Sequence, residues 1–336
     1  MKNIINIIKT LNPFTNQKID NKILYVIKIL LSALLVYFIS LVIGEVLIIG
    51  GSYLFGYNAT DKPMPFDIML LCSYYGYLIT ILFFIIYTKK INKIELDKIG
   101  LNKNVITFFK GMLIGIISLL LIVIPLILCR AIDFSGINNN INWLLLILYL
   151  FGYLIQSSME ELICRGYLFH RLKNKIPTLF AMIISILFFS IGHLSKLFDE
   201  GIILGIIGIT NLLLISMIWT TTTLKDKNIY SAIGFHFIWN FILFNIIGLN
   251  LSGLEITNSV FKFNVENTFL TGGSYGIETS IITTIVLSII LLIIKRKVIQ
   301  ITIYKGDIYG RINFTNYNRT IFNNSRNNWY YKFIIN

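Results

Sequence analysis

The chain has 336 residues, 56% hydrophobic and only 13% charged, with a mean hydropathy of +0.76. Soluble domains carry roughly 25% charged residues, so this composition excludes an ordinary water-soluble protein and points to many membrane-buried segments. The net charge of +13 would fit a nucleic-acid partner, but its distribution along the chain assigns it to membrane topology instead. Cys72, Cys129 and Cys164 sit apart in apolar runs and supply neither a disulfide framework nor a CxxC metal motif.

A membrane-spanning helix needs about 20 apolar residues. On that rule the chain has eight spans, at about 24–50, 67–87, 106–129, 142–163 (with the helix running on to about 174), 177–195, 201–223, 229–249 and 277–294. The first 22 residues are polar, and the run after them is too long for a cleaved signal peptide, so no removable targeting segment is expected. Pro125 predicts a kink in the third span. Lys and Arg set the orientation. With the N-terminus inside, 23 of them fall in the tails and inner connections, and only Lys62, Arg130, Lys196 and Lys262 in the outer ones. The expected fold is all-α: a polytopic membrane bundle of about eight helices with both termini cytoplasmic. Residues 1–141 form an N-terminal tail and three accessory helices, 142–295 the core that carries the chemistry, and 296–336 a basic, Asn/Tyr-rich tail. The connection 250–276, ending Thr271-Gly272-Gly273-Ser274-Tyr275-Gly276, reads as a flexible loop.

The fourth span poses the chemical question. After an uncharged run from Ile141 to Ser158 come Glu160 and Glu161, then Arg165. A charge at the centre of a bilayer costs about 2.5–3.5 kcal/mol on insertion scales, so such a pair needs partners or a use. Glu161 and Arg165 are spaced i, i+4 with Glu leading, the favourable order for an ion pair on one helix face. Glu160 lies about 100° round the helix and is left to meet a group from another span. The chain has three histidines. His193 closes Phe189-Ser190-Ile191-Gly192-His193 near the end of the fifth span, and His236 shares a face of the seventh with Asn240. His170 follows the carboxylates in a cationic stretch; it is expected to face the headgroups and is assigned no role. If spans four and five form a hairpin turning near Pro177, Glu160 and His193 stand at about 21 and 24 Å above the turn. Counted from the turn at Lys225-Asp226-Lys227, Asn240 reaches about 18 Å and His236 only about 12 Å, which leaves His236 short of the layer.

In order and spacing, Glu160-Glu161-x-x-x-Arg165, Phe189-x-x-x-His193 and His236-x-x-x-Asn240 resemble the three motifs of the CPBP family, the type II CAAX prenyl endopeptidases and their bacterial relatives, which include bacteriocin-processing and immunity proteins. The resemblance covers about 142–250. It implies an intramembrane endopeptidase in which Glu160 and His193 activate water, His236 and Asn240 hold the oxyanion, and Glu161 and Arg165 support them. A carboxylate is a competent general base, and oxyanion donors in a water-poor site are worth roughly 3–4 kcal/mol each. Glu160, His193 and His236 would also make a two-His, one-carboxylate zinc set; with no HExxH in the chain, no cofactor is certain and a metal-free glutamate mechanism is favoured. The expected partners are membrane lipid and a peptide or lipidated-protein substrate near the cytoplasmic side of a bacterial cell membrane, and no nucleic acid. The alternatives are a non-hydrolytic immunity or interaction protein and, with no paired broken helices to support it, a transporter.

Overall fold

A computed structural model describes residues 7, 9–58, 60–255, 258–266 and 268–295. The tail expected at 296–336 lies outside the described residues. The described residues up to Leu292 form one compact unit.

The described residues form a polytopic bundle. Six helices are long and apolar enough to cross a membrane: α1 (Lys22–Leu54), α2 (Phe66–Ile91), α3 (Ile106–Leu128), α4 (Trp143–Leu172), α6 (Ile202–Asp226) and α7 (Tyr230–Ile247). The other two expected spans form shorter apolar helices, α5 (Thr178–Ile191) and α8 (Ile281–Lys295). The local starts are legible: Asn21 accepts from the Ile23 and Leu24 amides, and Asn142 from the Leu145 amide, satisfying donors at the beginnings of α1 and α4. Helix α3 runs on for three residues past Pro125. Leu54, Ile106, Leu128, Trp143, Leu144 and Ile202 are exposed, as side chains facing lipid should be.

Helices α3 and α7 pack backbone against backbone. A Cβ at Gly111 would overlap the Ser231 carbonyl oxygen, and one at Gly234 would overlap that of Phe108. Only glycine admits this crossing, the small-residue device of membrane helices. It fixes α7, the carrier of His236 and Asn240, on a rigid neighbour.

Three features depart from the sequence reading. The core is not purely helical: strands β1 (Ile132–Ile137) and β2 (Phe261–Val265) pair antiparallel, Ile132 with Val265 and Ile137 with Phe261, with an irregularity between Phe134 and Gly136. The connection 250–276 is therefore partly structured, because the alternation Phe261-Lys262-Phe263-Asn264-Val265 lets β2 expose its lysine and asparagine while turning its phenylalanines to the other face. Second, α4 widens to a π-helix over Leu162–Phe169. Third, His170 does not face headgroups. It is buried at 5% exposure, its Nδ1 lies 2.6 Å from the Arg165 carbonyl oxygen, and the connection at Gly100 folds over it. The wide turn supplies that carbonyl, since five residues rather than four separate the partners.

The depth problem at His236 is resolved in the same place. The Ile229 amide donates to the Gly100 carbonyl at 3.1 Å, and a Cβ on Gly100 would lie 3.1 Å from both His170 Cε1 and Ile229 Cγ2. Helix α7 thus begins level with His170, well above the hairpin turn before Pro177. Seven residues of α7 then lift His236 to the level of the carboxylates.

Candidate active site

Four helices deliver the polar groups to one cavity. From α4, Gln156 and Glu160 point the same way one turn apart, and Gln156 Nε2 donates to Glu160 Oε1 at 2.6 Å. The adjacent Glu161 points elsewhere, to Arg165, whose Nη1 lies 2.9 Å from Glu161 Oε1 with both side chains at 0% exposure. The ion pair expected from spacing is therefore present, and it is completely dry. Such a guanidinium needs every donor used. Helix α6 answers with the Ser216 hydroxyl and carbonyl and with Thr220 Oγ1, while the Phe189 and Trp219 rings lie 4.8 and 5.2 Å from the guanidinium carbon.

The imidazoles arrive from α5 and α7. Helix α5 ends at Ile191, so His193 sits in the turn beyond it. Its Nδ1 lies 3.0 Å from the Phe189 carbonyl oxygen, and Tyr275 OH holds the His193 carbonyl at 3.1 Å. His236 stacks on Trp219 with ring centroids 4.3 Å apart, and its Nδ1 lies 3.1 Å from Glu161 Oε1. Because the Phe189 carbonyl and the Glu161 carboxylate only accept, both rings carry hydrogen on Nδ1. Both therefore turn Nε2 toward Glu160 Oε2, at 3.9 Å from His193 and 3.7 Å from His236. That carboxylate oxygen is buried and has no hydrogen-bond partner among the described residues. Asn240 Nδ2 donates to Gln156 Oε1 at 3.1 Å, which closes a chain Asn240–Gln156–Glu160.

All six residues singled out in the sequence are thus brought together. Glu160, His193, His236 and Asn240 line a cavity of about 250 Å³, with Glu161 and Arg165 buried behind them. Glu160 and His193 keep 20% and 24% of their side-chain surface accessible, whereas the supporting pair keeps none. Sequence reasoning missed Gln156, Trp219, Ser216, Thr220 and Glu278. Gln156 had a signal, its i, i+4 spacing to Glu160; the others come from segments that carry no motif. Leu251, Ser252 and Leu254 close the cavity from the connection 250–276, which the Lys/Arg count assigns to the outside, and Glu278 from the turn Ile277–Thr279 that the sequence reading counts into the eighth span.

The zinc expectation meets a geometric test. Four ligands about 2.1 Å from zinc lie about 3.4 Å from one another. The Glu160–His separations are longer, at 3.7 and 3.9 Å, and among the described residues no group of three or more His, Cys, Asp and Glu is set to hold a metal ion.

Residues 142–242 match the family described as type II CAAX prenyl endopeptidase Rce1-like. The match spans α4 through most of α7, covers all six motif residues, and bears out the resemblance to these membrane proteases. No curated protein and no solved structure matches the chain. The helices and the family together define an integral, multi-pass membrane protein with similarity to intramembrane proteases.

Proposed function

We propose that the chain is an intramembrane endopeptidase that hydrolyses a peptide bond in a membrane-associated or lipidated peptide of a bacterial cell membrane. The observation that carries this reading is the unpartnered Glu160 Oε2, facing the Nε2 atoms of two imidazoles across a cavity. Glu160 takes a proton from water held between it and His193, and the resulting hydroxide attacks the scissile carbonyl carbon. The carbonyl π pair moves onto oxygen. That oxyanion lies against His236 and Asn240. Asn240 has a second Nδ2 hydrogen free beyond the one given to Gln156. His236 donates through Nε2 only as the doubly protonated ring, because Nδ1–H is committed to Glu161; the flanking Glu160 and Glu161 supply countercharge. Collapse of the intermediate breaks the C–N bond, and Glu160 returns its proton to the leaving nitrogen.

No step of this scheme passes through a metal. Metal analysis of the purified protein tests that choice: stoichiometric zinc that disappears in Glu160→Ala or His193→Ala would overturn it. Comparative membrane peptidomics of wild type against Glu160→Ala tests the activity itself. The reading expects peptides that accumulate only with wild type, and identical peptidomes would refute it. A non-hydrolytic immunity role instead expects protection that survives Glu160→Gln.

A further inference from the structure

The cavity holds a second carboxylate that no motif contains. Glu278 lies in the short turn Ile277–Thr279 before α8 and lines the same cavity as Glu160. Its Oε2 accepts from both the amide and the hydroxyl of Ser252, each at 2.7 Å, and its carbonyl accepts from Asn211 Nδ2 at 2.9 Å. The carboxylate is therefore rigidly placed. Among the described residues it has no Lys or Arg within ion-pair distance, and Lys196 in the neighbouring turn is committed to the Gly253 carbonyl at 2.8 Å.

Among the described residues no Lys or Arg lines the cavity, while Tyr74, Tyr77, Phe189 and Trp219 do. Two buried polar atoms of the lining residues, Glu160 Oε2 and Trp219 Nε1, have no hydrogen-bond partner. A cavity with two fixed carboxylates, aromatic faces and, among the described residues, no lysine or arginine of its own is complementary to a cation supplied by its ligand. Burial pushes the Glu278 carboxyl up from its ordinary range, against the Ser252 bonds and the field of His193, and a cation bound beside it would offset that desolvation.

Resting on the endopeptidase reading above, we propose that Glu278 is a specificity-determining residue that selects substrates with a Lys or Arg side chain close to the scissile bond. An endopeptidase meets its substrate as an internal stretch of chain. While Glu160 faces the peptide bond, a neighbouring side chain enters the part of the cavity bounded by Glu278 and Ser252. A long aliphatic stem with a cationic tip suits aromatic walls that end in a carboxylate.

The test uses the full chain reconstituted in lipid vesicles and a library of internally quenched peptides. The peptides are identical except for Lys, Arg, norleucine or Glu at the positions flanking the scissile bond. Wild type should cleave the Lys and Arg members with kcat/KM at least about tenfold above norleucine. Glu278→Gln keeps a carbonyl oxygen for Ser252 but loses the charge, and should collapse that ratio toward one; Glu278→Lys should turn the preference toward Glu. A wild type that cleaves in a Glu160-dependent way without preferring cations overturns the Glu278 assignment and leaves the endopeptidase reading standing. A Lys-to-norleucine ratio that survives in Glu278→Gln also overturns the assignment, since Glu278 is then only a fastening for the Ser252 loop. Cleavage that persists in Glu160→Ala overturns the endopeptidase reading, and the assignment with it.

Discussion

His236 Nδ1 lies 3.1 Å from Glu161 Oε1, the oxygen that Arg165 Nη1 reaches at 2.9 Å. One buried carboxylate oxygen therefore neutralises a guanidinium and orients an imidazole. This ties the supporting pair to the reacting layer more directly than a local ion pair would. Removing one partner of a buried pair costs about 3–5 kcal/mol, because the other charge stays behind uncompensated, whereas replacing both with apolar groups is often neutral. Glu161→Leu should accordingly lower the melting temperature sharply in detergent. Glu161→Leu combined with Arg165→Met should recover most of that loss. Cleavage should not recover with it, since His236 has lost its acceptor. A double variant that regained activity as well as stability would show that the pair acts on the fold alone.

Glu160 should behave in the opposite way. It is partly accessible, and its one hydrogen bond comes from a neutral amide. Glu160→Gln should melt within a few degrees of wild type while cleavage drops by about 10²–10⁴-fold, the usual worth of a general base. Asn240→Ala, which deletes an oxyanion donor, should lower kcat by about 10²–10³-fold with a smaller effect on KM. A Glu160→Gln variant that unfolds, or that cleaves at the wild-type rate, would contradict the division of labour between the two adjacent carboxylates.

Gln156 joins the two halves of the site, donating an amide hydrogen to Glu160 and accepting at its carbonyl oxygen from Asn240. Gln156→Ala should cost about 10²-fold in kcat through misplacement of both partners, although the residue performs no proton transfer. Gln156→Glu should be no better, since a third carboxylate in the cavity cannot donate to Glu160. Steady-state kinetics on any cleaved peptide would read both variants, and a rate unchanged in Gln156→Ala would remove Gln156 from the site.

How much of this was legible in advance depended on distance along the chain. Glu161 with Arg165, and His236 with Asn240, share a helix, so i, i+4 geometry sorted them correctly. Glu160 with His193 was legible as two groups at equal height on a hairpin. Periodicity sets His236 too low because it puts the Lys225-Asp226-Lys227 turn at the same height as the turn before Pro177. The height of that turn is set by a hydrogen bond from Ile229 to Gly100, a contact between segments 129 residues apart that periodicity does not reveal. His170 departs from its expected place for a related reason: its charged neighbours indicate a surface, while a π-helical stretch and the connection at Gly100 bury it. Glu278 and Ser252 escaped notice because a loop residue acquires meaning only from what it folds against.

The last prediction concerns the scaffold that carries His236. Gly111 on α3 and Gly234 on α7 each admit the other helix's backbone where a Cβ would overlap a carbonyl oxygen, and a main chain cannot rotate away as a side chain can. Gly111→Ala and Gly234→Ala should therefore push the helices apart, destabilising the protein by about 1–3 kcal/mol or more. Gly50, in the last turns of the apolar helix α1 with nothing within 4 Å of its missing Cβ, is the control. Gly50→Ala should be neutral or stabilising by up to about 1 kcal/mol through helix propensity alone. Gly234 lies two residues before His236, so its alanine variant should lose cleavage in excess of its loss of folded fraction, while Gly111→Ala should lose the two more nearly in step. Apparent melting in mild detergent, read beside cleavage at a temperature where every variant is folded, separates these outcomes. Wild-type melting in Gly234→Ala would mean that α3 and α7 do not approach as closely as the crossing requires, and the height assigned to His236 would then have no support.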